Sequence, residues 1–420
     1  MFARADQALR GRGLEPVHRF HVPGRIEVLG KHTDYAGGRS LLAAVERGFC
    51  VVSAPRNDAV VRIVDAGRRD EVVLGLDPQA GPASPHWAIY PAAVARRLAR
   101  DFEGPLVGAD IALISDLPPS SGLSSSSALL IATFEALRLS NQLDELEEFA
   151  RVLPDLLCVA AYLGSVESGR PFRDFGGEAG VGTSGGSQDH TAILASEAGR
   201  LRRFGFAPVR AEGSVALPRD VTFVVAVSGV VAQKTAGAQA AYNRAAALSA
   251  AILEKWRGIS GREDRTLFEA VSSAPSAGEQ LREALAVTTD GFEPSALQSR
   301  LDQFVEESLV LIPAAFEALA AGDLLGFGRA VDRSQRGAET GLANQVEETV
   351  DLQRTARRLG AHGASAFGAG FGGSVWALVS RHEASGFRLE WEREYRSRHD
   401  LKAAAFFLTD AGPPLTGIDR

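Results

Sequence analysis

Polar and apolar residues alternate from residue 25 to residue 29 (Arg-Ile-Glu-Val-Leu), the two-residue period of a strand with one buried face. Gly30 breaks that strand, and a dense polar cluster follows: Lys31, His32, Thr33 and Asp34. Further strands are expected over 51–54, 60–64, 109–114, 222–227 and 374–380. Apolar spacing predicts helices over 91–102, 124–139, 236–256, 297–321 and 344–359. In the second of these, Leu129, Leu130, Phe134 and Leu137 carry the period. Glycine and proline mark a turn at 117–122, a long charged loop over 169–186 and a second glycine loop after 363–367. Structured segments flank each glycine loop closely, so none reads as a linker. No internal repeat is visible. The first half mixes strands with helices.

The chain has 420 residues, which suits two domains, expected at 1–215 and 216–420. An apolar content of 45% supports sizeable cores. A net charge of −7 argues against a broad nucleic-acid surface and leaves room for a small cationic nucleotide pocket. Cys50 and Cys158 stand far apart, which suggests reduced thiols with no disulfide framework. The first twenty residues mix Arg4, Arg10 and Arg12 with Asp6 and Glu15, so a helix is expected there and a secretory leader is not. The longest apolar run, 221–232, is too short to span a bilayer. A cytoplasmic protein with no membrane or nucleic-acid partner is the expectation.

Four segments carry chemistry. Residues 23–38 (PGRIEVLGKHTDYAGG) present a cation, an imidazole, a hydroxyl and a carboxylate at a strand end, with Arg25 at its start. That set suits a small polyhydroxylated ligand. Residues 117–128 (LPPSSGLSSSSA) run from a strand through a Gly/Ser turn into a helix. The free first-turn amides of such a helix can face a phosphate, and the plain alternative is an over-supplied N-cap. No Gly-Lys-Ser/Thr follows, so it is not a Walker loop. Residues 182–190 (GTSGGSQDH) place Asp189 after a glycine-rich loop, as a candidate base or as a helix cap. Residues 368–373 (GAGFGG) satisfy the dinucleotide pattern G-x-G-x-x-G, but a strand follows where a helix is required. A loop closing over a site is the better reading, and a dehydrogenase is disfavoured.

Together these segments resemble the GHMP small-molecule kinases, and among them the galactokinase family, from about residue 16 to residue 407. Residues 23–38 are similar to that family's sugar-binding signature, except that Lys31 stands where the family carries Glu before the His. Residues 117–128 resemble the second GHMP motif, with Ser120 and Ser121 replacing its usual glycine, and 363–373 resemble the third. Residues 182–190 occupy the place of the segment with the catalytic carboxylate. Trp87 and Tyr90 resemble the family's Trp-x-x-Tyr, and two core aromatics are the alternative. Tyr242 and Arg244 match its sugar-contacting Tyr and following basic residue.

The resemblance implies a two-domain α+β fold: an N-terminal domain with a left-handed β-α-β unit, a ferredoxin-like C-terminal domain, and the active site in the cleft between. It implies transfer of the ATP γ-phosphoryl group to the anomeric hydroxyl of galactose or a related sugar. Asp189 and Arg25 would be catalytic. Lys31, His32, Asp34, Gly185, Gly186 and Tyr242 would bind the sugar. Trp87, Tyr90, Ser121, Gly122, Leu123, Ser124, Ser125 and Ser126 would bind the nucleotide. Mg2+ would sit on Ser126 and Glu167, with Glu178 as competitor for the carboxylate. Lys31 leaves the sugar open. It offers donors only, so it could meet a neutral hydroxyl, pair with the carboxylate of a uronic acid such as galacturonate, or point to solvent. A sugar- and ATP-binding sensor without turnover is the reading of another class.

Overall fold

A strand of 17 residues, Arg39–Pro55, organises the first half of the chain. The computed structural model describes residues 1–418 apart from 82, 103, 120, 231–235 and 288–290, so Ser120 and positions 231 and 232 of the apolar run lie outside the described residues. The strands that position the site are β1 (His18–Leu29), β2 (Arg39–Pro55), β3 (Val60–Asp65), β4 (Asp70–Gly75), β5 (Ala109–Ser115), β6 (Arg200–Gly205), β7 (Arg210–Ala216), β8 (Val221–Val227), β9 (Gly363–Phe367), β10 (Ser374–Ser380), β11 (Ala405–Thr409), β12 (Ala411–Gly412) and β13 (Thr416–Gly417). The helices needed below are α1 (Phe2–Arg10), α2 (Ile89–Asp101), α3 (Ser125–Ser140), α4 (Leu156–Ser168), α5 (Gln188–Ala195), α6 (Ala236–Ser260), α7 (Pro294–Val305), α8 (Leu324–Gly337), α9 (Glu347–Arg358) and α10 (Ala384–Arg398).

The first sheet runs β13-β1-β2-β5-β3-β4. One edge of β2 carries β1. The other carries β6 at residues 39–42, β12 at 44–45 and β5 at 49–55. β3 and β5 pair in parallel, with β4 and α2 in the connection, which makes a β-α-β unit. Most of β2 is buried on both faces, which erases the two-residue period. That is why only its end, 51–54, reads as a strand from sequence.

The second sheet runs β11-β8-β10-β9, all antiparallel. Its chain order is strand, helices, two strands, helix, strand, which is the ferredoxin-like arrangement. One face, with Phe223, Val225, Trp376 and Leu378, joins the core of the first sheet. The other, with Val224, Ala226, Val375 and Ala377, packs under Leu352 and Ala356 of α9 and Trp391 and Tyr395 of α10. β8 is therefore buried throughout. A third, helical layer centred on Ile252, Trp256, Leu301 and Phe304 fills the long connection between β8 and β9.

Two differences from the sequence reading matter for function. The helix expected over 297–321 is instead α7, a wide π turn (Glu306–Leu311) and a second helix (Ile312–Ala320). Pro313 has no N–H for the helical ladder and crowds the preceding turn, a sufficient cause for the widening. The chain also does not stay in the second domain after residue 216. After β11 it returns to the first sheet, where β12 fills the gap on β2 between β6 and β5, and β13 adds to β1. Cys50 and Cys158 are unpaired. Among the described residues no helix is long and apolar enough to cross a membrane.

The returning tail predicts a stability effect. A chain ending at Asp410 loses two short ladders and the burial of Ala411 and Leu415, worth about 2 kcal/mol together. Its melting temperature is expected to fall by about 4–8 °C. An unchanged melting curve would show that the tail does not hold the first sheet.

Candidate active site

Three loops and one strand meet in a cavity of about 920 Å³. The strand is β1, and its approach depends on Gly24. A methyl group there would lie 2.7 Å from the Leu117 side chain and 2.8 Å from the Leu123 carbonyl. Without it, the Arg25 amide donates to that carbonyl at 3.2 Å and fixes the 117–124 loop against the strand. The Arg25 guanidinium then donates through Nη1 to the Gly122 carbonyl and through Nε to Asp189 Oδ1 at 2.7 Å. Its Nη2 lies 2.7 Å from the same oxygen. The Ser124 hydroxyl donates to Asp189 Oδ2 at 2.5 Å. Ser124 itself is left-handed, with φ of 61°, a conformation non-glycine residues hold mainly where surroundings impose it.

Asp189 stands in the first turn of α5. Its side chain reaches the cavity, paired to a residue 164 positions away, while its neighbours Ala192 and Ile193 are buried. Simple capping does not describe it. Beside it, Ser124, Ser125, Ser126 and Ser127 line the cavity at the N-terminus of α3, where free amides and the helix dipole favour an anion. Gly122 lines it too. Ser121 and Leu123 do not: both are buried, and they act through backbone carbonyls to Ser374 Oγ and the Arg25 amide.

Glu167, at the end of α4, lines the cavity, accepts from Ser127 Oγ at 2.9 Å and lies 3.2 Å from His190 Nε2. Its competitor Glu178 is held by Arg96 at 2.7 and 3.0 Å, away from the cavity lining. Trp87 and Tyr90 form a further wall, with Trp87 Nε1 donating to Asp70 at 2.7 Å.

The opposite end is built by the loop after β1. His32, with φ of 57°, lies between the carbonyl of Ala369 (Nε2, 3.2 Å) and the hydroxyl of Tyr35 (Nδ1, 3.0 Å). A carbonyl only accepts, so Nε2 carries the proton and Nδ1 accepts from Tyr35. Burial, aided by nearby Arg300, pushes the imidazole down to about 4, which keeps it neutral. Asp34 accepts from the Gln188 amide at 3.1 Å, and burial raises its carboxyl. Gly186 lies so close to Asp34 Oδ2 that a side chain there would displace it. Tyr242 of α6 packs at 5.0 Å from the His32 ring, facing Gly185. His32, Asp34, Gly185, Gly186 and Tyr242 all line the cavity.

Lys31 does not. It is 1% exposed, outside the cavity lining, and its ammonium donates to Ser334 Oγ at 3.0 Å. Ser334 in turn donates to Glu307 at 2.9 Å. Glu307, on the π turn, also takes the Gly30 amide at 2.7 Å. The charge of Lys31 is thus spent on the scaffold, neither on ligand nor on solvent. This removes the ground for inferring a uronic acid from Lys31. Arg244 also lies away, exposed over the Phe292 ring.

The sequence reading missed several lining residues: Glu27, Asp65, Arg68, His86, His190 and Gln239. Glu27 alone carried a signal, its strand alternation with Arg25. Burial pushes its carboxyl up to about 7, an effect opposed by Lys31 and Arg25.

Family comparisons agree with this arrangement. Residues 11–55 match the galactokinase galactose-binding signature, 90–197 the GHMP kinases N terminal domain and 315–397 the GHMP kinases C terminal model. The galactokinase of Chloroflexus aurantiacus is 31% identical over 385 residues, covering 89% of this chain and 87% of that protein. That of Roseiflexus sp. is 29% identical over 391 residues, covering 91% and 88%. In fold, the chain is similar to Lactococcus lactis galactokinase complexed with galactose, with a TM-score of 0.75 and 24% identity over 95% of this chain and 94% of that one. Methanococcus jannaschii mevalonate kinase is more distant, with a TM-score of 0.53 and 14% identity over 94% and 99%. With its signature, both domain models and near full-length relatives matched in order, this chain belongs to the galactokinase family of the GHMP kinases.

Proposed function

We propose that this protein is an ATP-dependent sugar kinase that phosphorylates the anomeric hydroxyl of galactose or a close neutral relative, giving the sugar 1-phosphate. The observation that carries it is Asp189 held between Arg25 and Ser124, where the serine-rich end of α3 meets the His32–Asp34–Tyr242 wall. An ionised carboxylate has about four acceptor positions. Arg25 and Ser124 occupy part of them and orient the rest, so Asp189 can accept the proton of an incoming hydroxyl. Arg25, shared between Asp189 and the phosphate loop, would offset charge on the group in transit. Neutral His32 can position a hydroxyl without adding a competing positive charge.

ATP would lie with its phosphates on Gly122 and residues 124–126 and its base toward Trp87 and Tyr90. The donor set fits magnesium, which prefers oxygen, keeps several waters and shares phosphate oxygens. Glu167 and Ser126 would hold it, and when bound it would neutralise phosphate charge. Among the described residues no three His, Cys, Asp or Glu side chains form a cage, in keeping with an ion held largely by substrate. The unpaired thiols Cys50 and Cys158 are in keeping with a cytoplasmic setting. A sensor without turnover would not need the Arg25–Asp189 pair, which favours the enzyme.

Three measurements test this. ADP release is expected with ATP and galactose, yielding galactose 1-phosphate. Binding of both without turnover across a sugar panel would instead favour the sensor. Asp189→Asn is expected to lower kcat at least about 100-fold, with ATP affinity changed little. Near-normal turnover would remove Asp189 from the chemistry. Glu167→Gln is expected to raise the magnesium concentration for half-maximal rate by about tenfold or more, with metal-free nucleotide binding retained. An unchanged magnesium titration would assign the ion to other oxygens.

A further inference from the structure

Glu27 follows Arg25 by two residues on β1 and lines the same cavity. It is 2% exposed, and its Oε1 has no hydrogen-bond partner among the described residues. Buried polar atoms are normally satisfied, so this one calls for a donor. Neither nearby cation supplies it. Arg25 is committed to Asp189 and the Gly122 carbonyl, and Lys31 to Ser334. The remaining charges felt by Glu27, those of Glu307 and Asp189, are negative. Glu27 belongs to the cavity lining, with Oε1 itself shielded from solvent.

We propose that Glu27 is a sugar-binding residue that accepts a hydrogen bond from one hydroxyl of a neutral monosaccharide, and that the acidic wall it shares with Asp34 and Asp189 disfavours uronic acids. This rests on the sugar-kinase reading above. A carboxylate is an acceptor and a sugar hydroxyl is a donor, so the pairing satisfies both groups. A substrate carboxylate would instead bring a further negative charge to a wall that already holds Glu27, Asp34 and Asp189. Lys31 keeps a compensating charge beneath Glu27 without entering the cavity.

The test compares the wild-type protein, Glu27→Ala, Glu27→Leu and Glu27→Gln by ADP release. The sugars are galactose, its 2-, 3-, 4- and 6-deoxy forms, and galacturonate. For galactose, Glu27→Ala should lower kcat/KM about 10- to 100-fold with the KM for ATP unchanged. For the one deoxy sugar lacking the partner hydroxyl, wild type and variant should agree within about threefold. Glu27→Leu, of similar size and with no acceptor, carries the same comparison should Glu27→Ala not fold, whereas Glu27→Gln keeps an acceptor and loses the charge, and so should keep most of the galactose activity. It should also raise activity on galacturonate relative to galactose. In Glu27→Ala and Glu27→Leu, an equal loss on every sugar, as a structural or water-bonded carboxyl would give, overturns the proposal, and so does no loss on any. Wild-type protein that binds ATP but releases no ADP with any sugar defeats the kinase reading itself, a separate outcome.

Discussion

The Arg25–Asp189 ion pair is the constraint on which the cleft depends. It joins β1 to α5, and through the Gly122 carbonyl it joins both to the 117–124 loop. The glycine loop of the second sheet locks on to the same assembly: Ser374 donates to the Ser121 carbonyl at 2.5 Å, and Ala369 receives His32. Each loop is held by another loop more than by its own strand. A pair only 5% exposed on the arginine side loses much hydration, and its hydrogen bonds must compensate. The structure supplies them from the carbonyl and the serine. The result is a carboxylate aimed before any ligand arrives.

Beneath the His32–Asp34–Tyr242 wall lies a second polar assembly that never reaches the cavity. Arg300, buried in α7, donates to the His32 carbonyl, to Ser249 at 3.0 Å and to Gln303. Glu307 takes the Gly30 amide and the Ser334 hydroxyl, and Ser334 takes Lys31. Buried charges of this kind add little net stability compared with apolar packing, yet removing one partner is costly. Their use here is geometric. They hold a loop with His32 in the left-handed region, which a free chain would rarely populate.

Much of this was legible in the sequence, and the losses have physical causes. Strand β10 and helix α3 were readable because glycine-rich turns precede them, although both are buried nearly all round. β2 was not, because burial on both faces removes its period. That Arg25, Asp189 and the serine run belong to one place was readable because each sits in a local motif. That Glu178 is held away from the cavity was not, since it depends on Arg96, 82 residues before it. Lys31 misleads for the same reason: its partner Ser334 is 303 residues away. A charge beside a binding signature declares its valence in the sequence, but its partner is declared only by the fold. Glu27 is the reverse case, a residue that reads as ordinary strand alternation until its empty acceptor is seen.

The return of the chain to β12 and β13 gives the second domain two covalent attachments to the first, at 217–220 and at 410. Topologically it is an insertion into the first domain, and β12 sits on β2 beside the strands that carry the site. The inserted body is also held across a surface, because Phe223, Val225, Trp376 and Leu378 join the core of the first sheet. The glycine loop that touches His32 and Ser121 rides on that body. Those two attachments, with the core that both sheets share, set where the glycine loop stands against His32 and Ser121.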